Sequence, residues 1–182
     1  MIQVGLAETD AGYTGLVPPY HPGVAYPELH ALFGEAPIVG RPNGVYAAVR
    51  AALLGAGLDA HHFGTPSWNP LGALVGPGKR VVLKPNFIRH WNPSPEGTVA
   101  SVVTHGSVIR AIADYALLAV GRTGSVELAE ASQQDCDFAV IRELAGLDVM
   151  QRFFSETARR TFAVIDLRRE AVVFRDGIIV SR

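Results

Sequence analysis

Arg80-Val-Val-Leu-Lys84 and Ser125-Val-Glu-Leu-Ala-Glu130 are two short strand-like runs, and the stretch between them from Thr104 to Val120 carries apolar residues at helical spacing. Pro85 must end the first run, because proline donates nothing to a β-ladder. Val108, Ile112, Tyr115 and Ala119 recur every three or four positions and share the inward face of a helix. On that wheel Arg110 and Asp114 form an i,i+4 pair on the outward face, Thr104 is the expected N-cap, and Gly121 with Gly124 is the stop. A strand, a helix and a strand in this order predict a parallel, right-handed β-α-β unit over residues 80–130. The first strand is expected at the centre of a mainly parallel sheet flanked by helices, an α/β fold.

Outward from this unit the signals are shorter. Toward the N-terminus, Asn43 caps a predicted helix with the stripe Val45, Tyr46, Val49, Ala52, Leu53 and Ala56, ended by Gly55 and Gly57 and expected to pack on the sheet. Residues 1–42 are dense in Pro, Gly and Tyr and read as ordered loop, with one helical piece from Pro27 to Phe33 stopped by Gly34. Residues 58–78 are loop again, and 86–103 form a connection long enough to predict a functional loop. Toward the C-terminus, Asp137 or Asp135 caps a helix using Phe138, Ile141 and Leu144, and Asp148 caps another using Val149, Phe153 and Thr157. A strand at Phe162–Asp166 follows, and Asp176-Gly177 is a two-residue hairpin signal between strands within 171–180. The chain stops directly after that hairpin, which predicts a part of a larger unit. With no repeat and no composition break, residues 1–182 read as a single α/β domain.

Composition excludes several classes. At 182 residues, 48% apolar and 18% charged, the chain can bury a sizeable core, which a disordered tail cannot. Sixteen Lys and Arg against 17 Asp and Glu give a net charge of -1, so no positive field draws in nucleic acid. Cys136 stands alone, which excludes an intramolecular disulfide and an iron–sulfur cluster held within this chain. The first ten residues lack the layout of a secretory signal, and no apolar run approaches the roughly 20 residues that span a bilayer. A cytoplasmic protein without membrane or nucleic-acid partners is expected.

Two glycine patterns are decoys. Gly55-Ala-Gly57 follows a helix where a dinucleotide fingerprint follows a strand, and Gly76-Pro-Gly78-Lys79 precedes a strand where a phosphate loop precedes a helix. His61 and His62 are adjacent, so on a regular helix or strand they diverge, and they read as surface residues. Trp68 and Trp91 read as packing anchors, and His90 with Trp91 stands in the long loop where it could close over a site. The two aspartates flanking Cys136 are expected to raise its thiol pKa.

The informative constellation follows from topology, because parallel strands bring their carboxyl ends to the edge where open α/β sheets hold ligands. Lys84 and Asn86 leave the first strand there, and Thr104, His105 and Gly106 open the crossover helix, whose amino end favours an anion. Glu130 ends the next strand, followed by Ser132, Gln133, Asp135 and Asp137. Each has an ordinary reading beside this one: a solvated lysine, a turn asparagine, helix caps, or a Lys84–Glu130 salt bridge.

Val81-Val-Leu-Lys-Pro-Asn-Phe87, Val103-Thr-His105 before a helix, Leu128-Ala-Glu-Ala-Ser-Gln-Gln-Asp-Cys-Asp-Phe138 and Ile165-Asp-Leu-Arg168 together resemble the DUF362 family of proteins of unknown function, over roughly residues 78–180. The resemblance implies an α/β fold and matches Lys84, Pro85, Asn86, Thr104 and His105 to the family's own pattern. Glu130 and Ser132 stand where relatives more often have aspartate and proline, and the ferredoxin-like cysteine segment of some relatives is missing.

These readings converge on an enzyme for a small anionic metabolite. Lys84, His105 and Glu130 are the expected catalytic residues, and Asn86, Thr104, Gly106, Ser132, Gln133, Asp135 and Asp137 are the expected ligand contacts. Its candidate cofactor is a divalent metal held through Glu130. The alternatives are a non-catalytic binding module completed by a second copy or a partner chain, and a redox-associated subunit.

Overall fold

The structure is a computed structural model that describes residues 3–34, 41–176 and 178–181. After a 3-10 turn at Pro27–Leu29 come α1 (His30–Phe33), α2 (Gly44–Gly55), β1 (Arg80–Leu83), α3 (Gly106–Val120), β2 (Ser125–Glu130), α4 (Phe138–Leu144), α5 (Leu147–Glu156), β3 (Thr161–Asp166), β4 (Val173–Arg175) and β5 (Ile178–Ser181). The first three strands form one sheet in the order β1-β2-β3, parallel throughout, and β4 with β5 forms a separate antiparallel pair. The architecture is therefore α/β, as the 80–130 pattern predicts. Gly177 of the hairpin signal lies outside the described residues, while Asp176 before it has a positive φ of 52°.

Strand order corrects one expectation: the central strand is β2, and β1 is an edge. Val126 and Leu128 on β2 are fully buried, whereas Val82 on β1 is 53% exposed. Helix α3 packs on β1 and β2, α5 packs on β3, and α2 packs chiefly against α3 rather than on the sheet.

The reason lies in α3. Its Arg110 and Asp114 do not face water; both are fully buried, with Arg110 Nε donating to Asp114 Oδ1 at 2.8 Å. Tyr46 of α2 donates its hydroxyl to Asp114 Oδ2 at 2.8 Å, and Arg110 Nη1 donates to the Pro19 carbonyl at 2.6 Å. The loop-rich N-terminal segment and α2 thus cover the face of α3 that looks solvent-facing on a helical wheel. A second buried pair ties the same layer: Arg50 of α2 forks onto Glu28 at 2.6 and 3.2 Å, and Tyr115 of α3 donates to Glu28 at 3.0 Å.

Caps divide into met and unmet expectations. Asn43 accepts from the Tyr46 amide and Asp137 from the Ala139 amide, as expected for N-caps. Asp148, however, sits inside the first turn of α5; its N-cap is Gly146 at φ 62°, a conformation in which a side chain would be strained. Trp68 is fully buried and donates to the Leu58 carbonyl, while Trp91 is exposed. No helix among the described residues is long and apolar enough to cross a membrane.

Candidate functional site

Parallel pairing brings the strand ends to one edge. Lys84 follows β1, Glu130 closes β2, and Asp166 closes β3 in register with Glu130. Lys84 Nζ donates to both Glu130 oxygens, at 2.9 and 2.8 Å, and Glu130 Oε1 also accepts from the Ala131 amide at 2.8 Å. The salt-bridge reading of this pair is therefore realised in the geometry. The partners are unequal: the Glu130 side chain is 6% exposed and that of Lys84 is 71% exposed. An ammonium has three N–H donors, and two of them satisfy the sheathed carboxylate. The third has no hydrogen-bond acceptor among the described residues, and the lysine is held in position by Glu130.

Asn86 and Thr104 close the base of the long loop. The Asn86 amide donates to Thr104 Oγ1 at 2.9 Å, and the Thr104 amide donates to the Asn86 carbonyl at 2.9 Å. Phe87 and Val103 form an antiparallel bridge just above, and the Ile88 amide donates to the Val102 carbonyl. Thr104 therefore clasps two chain segments and does not cap α3. Between β1 and α3 lies a cavity of about 320 Å³ whose polar lining comes from Lys84, Asn86 and Thr104 and whose remaining lining includes Val82, Leu83, Val108, Ile109, Ile112 and Leu128. Val108 and Ile112, expected to face the core, instead line this space.

His105 and Gly106 are turned elsewhere. His105 is the N-cap of α3, its Nδ1 accepting from the Ser107 amide at 3.2 Å and lying 2.8 Å from Ser107 Oγ. A ring nitrogen that accepts carries no hydrogen, so the neutral ring is protonated at Nε2. The ring stacks on Tyr13 with centroids 4.1 Å apart and meets the edge of Tyr20 at 5.2 Å; burial holds its pKa below the ordinary histidine value. A Cβ on Gly106 would sit 2.2 Å from the Ala145 carbonyl oxygen and 2.3 Å from the Tyr20 ring, so its need for glycine is steric. Tyr20 and Ala145 thus crowd the amino end of α3, and neither His105 nor Gly106 lines the cavity beside Lys84.

The residues after β2 form a third group, pinned by two arginines. Arg89 donates to the Gln133 side chain and lies 3.4 Å from Asp135 Oδ2. Arg168 donates to both oxygens of Asp166, to the Gln133 carbonyl at 3.0 Å and to the Cys136 carbonyl at 2.7 Å. This fork holds the Asp166 carboxyl below its ordinary pKa. Asp137 caps α4 and its amide donates to His90 Nδ1 at 2.9 Å, so His90 buttresses this loop. Ser132 is buried, and its hydroxyl has no partner among the described residues. Asp135 and Asp137 line a cavity of about 630 Å³ together with Trp91, Arg168 and Phe174. The Cys136 thiol pKa is raised chiefly by burial, with Asp135 a minor contributor.

Sequence reasoning passed over Arg89, Asp166 and Arg168 as site residues. Asp166 was legible as the strand-end acid of Asp-x-Arg, placed one strand beyond Glu130 at the same edge. Also missed was a convergence of Asp59, His61 and His62, the one group of three His, Cys, Asp or Glu side chains among the described residues whose ligand atoms all lie within 4.8 Å of one another. Glu130 does not belong to it. No family model matches the chain, and no curated protein or solved structure matches it.

Proposed function

We propose that this chain acts on a small anionic metabolite seated in the cavity between β1 and α3. The observation that carries the reading is the Lys84 ammonium: anchored by the buried Glu130, open to water, and lining an otherwise largely apolar space of about 320 Å³. A carboxylate or phosphate would take the free N–H of Lys84, with Asn86 and Thr104 as neighbouring polar groups, and an apolar body would lie along Val108 and Ile112. Position supports the same reading, since ligands of open α/β sheets bind at the carboxyl ends of the strands. The resemblance to the DUF362 family read over roughly residues 78–180 agrees with this edge without naming a reaction. Glu130, 2.8 Å from the Lys84 ammonium, is the carboxylate assigned in this proposal to a proton transfer at the edge. His105 keeps a capping role and Gly106 a packing role.

The test is thermal-shift titration with short aliphatic monocarboxylates and alkyl phosphate monoesters. Saturating ligand at 100 times its Kd stabilises the folded chain by about 2.7 kcal/mol. Lys84→Met removes the head-group contact, and Ile112→Trp fills the cavity without touching a charge; both are expected to abolish the shift. Retention of the full shift in both variants contradicts the site.

A second reading rests on β1. As an edge strand with Val82 53% exposed, it offers free backbone groups to a strand from a partner chain. Co-purification of a second polypeptide, with loss of that association when Val82 is changed to Lys, would favour an assembly module.

A further inference from the structure

We propose that Asp59, His61 and His62 form a three-ligand site for zinc, with one coordination position left open. The reading is independent of the cavity beside Lys84, whose lining contains none of these residues.

The geometry begins with the backbone. Asp59 adopts a left-handed conformation at φ 50°, which aspartate tolerates better than most residues, and a single 3-10 turn at Ala60–His62 follows. That combination bends the chain sharply enough to turn two consecutive histidines back toward the carboxylate preceding them. A uniform helix or strand would send them to different faces. His62 Nδ1 lies 2.7 Å and His61 Nε2 3.5 Å from the same oxygen, Asp59 Oδ1. The two rings stand 4.0 Å apart between centroids, tilted by 48°.

These separations are close to what a metal needs. Nitrogen and oxygen ligands bound at about 2.0–2.1 Å in a tetrahedral zinc site lie roughly 3.3 Å from one another. His62 has to retreat by about half an ångström, and His61 has to move by less relative to Asp59 Oδ1. Both rings are largely exposed, so small side-chain rotations supply the movement. Two imidazoles and one carboxylate are a donor set that suits zinc, and three protein ligands leave the fourth position to water.

The loop around the ligands is fixed before any metal arrives. Asp59 Oδ2 accepts from the Asn69 amide at 2.8 Å, which aims Oδ1 at the histidines and acts as the outer-shell partner of a ligating carboxylate. The His62 amide donates to the Asp59 carbonyl, and the Thr65 amide and hydroxyl both donate to the His62 carbonyl. Fully buried Trp68 anchors the far end of the loop through Leu58. The Asp59 carboxylate thus accepts from the Asn69 amide on one oxygen and faces both histidines with the other. An ionised carboxylate only accepts, so His62 Nδ1 carries the shared hydrogen. Ligation through Nδ1 requires the other tautomer, so that hydrogen moves by way of solvent to Nε2 and the ring stays neutral.

The experiment is isothermal titration of the EDTA-dialysed chain with zinc chloride, repeated on His61→Ala, His62→Ala and Asp59→Asn. Asparagine keeps the Asn69 bond through its oxygen and turns a donor NH2 toward His62, so Asp59→Asn removes the ligand charge while the loop stays tied to Asn69. Trp68 fluorescence in each variant reports that the loop remains folded. A saturable site for a single zinc ion, weakened at least tenfold by each of the three substitutions, is the expected result. Cobalt(II) in place of zinc should give a visible absorption band that each histidine variant loses. Absence of saturable binding, or full zinc affinity retained in any one of the three variants, would each overturn the site.

Discussion

Asp114→Ala isolates the feature that most separates this fold from its helical-wheel appearance. In the folded chain the Asp114 carboxylate accepts from Arg110 Nε and from the Tyr46 hydroxyl, each at 2.8 Å, and neither charged side chain reaches water. Alanine leaves the Arg110 guanidinium with the Pro19 carbonyl and the rings of Phe153, Phe154 and Phe33, whose centroids lie 4.3, 5.2 and 5.3 Å from its carbon, and with no opposite charge. Arg110 Nη2 already lacks a hydrogen-bond partner among the described residues. Breaking one side of a buried ion pair costs about 3–5 kcal/mol. An unpaired Tyr46 hydroxyl overlaps with that figure rather than adding fully to it. For a chain of this length each kcal/mol moves Tm by roughly 2–4 °C, so a loss of about 4 kcal/mol lowers it by roughly 8–16 °C. Urea unfolding followed by circular dichroism measures the change directly, with an unchanged slope expected. The triple variant Arg110→Met, Asp114→Leu, Tyr46→Phe removes all three polar partners together and should recover most of the loss, because apolar replacement of a buried pair is often neutral. A cost below about 1 kcal/mol for Asp114→Ala would refute the burial, because exposed pairs are worth no more than that. It would mean that the loop around Pro19 and Tyr46 of α2 do not cover α3.

Other consequences are equally open to measurement. Gly106→Ala drives a methyl into the Ala145 carbonyl and the Tyr20 ring, and overpacking of this kind costs about 1–3 kcal/mol; a thermal melt within one degree of the parent contradicts it. Burial holds the pKa values of His21 and His105 below the ordinary histidine value, with the charge of Arg110 adding to the effect at His21. The unfolded chain therefore takes up protons first on acidification, and stability present above about pH 6.5 is lost as pH falls through the lower folded-state values. His21→Gln with His105→Asn should flatten the difference in Tm between pH 7.5 and pH 5.5, and an unchanged difference argues against it. Arg168→Ala frees the carbonyls of Gln133 and Cys136, so the buried Cys136 thiol should react faster with a thiol reagent; an unchanged labelling rate would mean that Arg168 does not hold the loop.

The β-α-β unit was legible because its signals are local: two strand-like runs, a helical stripe, and a proline and glycines that end elements where the structure ends them. Asn43 and Asp137 were legible as caps for the same reason. Properties set by distant segments were not. An Arg–Asp pair at i,i+4 has the same spacing whether it faces water or a second layer, and α2 with the loop around Pro19 decides between them. The position of β1 at the edge depends on where β3 docks, which four residues of β1 cannot encode. Thr104 and His105 can both cap by composition, and the Asn86–Thr104 clasp assigns the threonine elsewhere. At the site, the meeting of Lys84 and Glu130 follows from parallel topology. The separation of His105 depends on Tyr13 and Tyr20, whose approach no local pattern announces. The convergence of His61 and His62 depends on a left-handed Asp59, which spacing rules for regular elements do not cover.

Native mass spectrometry of the chain as purified tests the central claim most directly, since it weighs any retained small molecule together with the protein. The account predicts a small anionic species on the parent chain that is missing from both Lys84→Met and Ile112→Trp. The same species retained at full occupancy on both variants would contradict the cavity between β1 and α3 as its site.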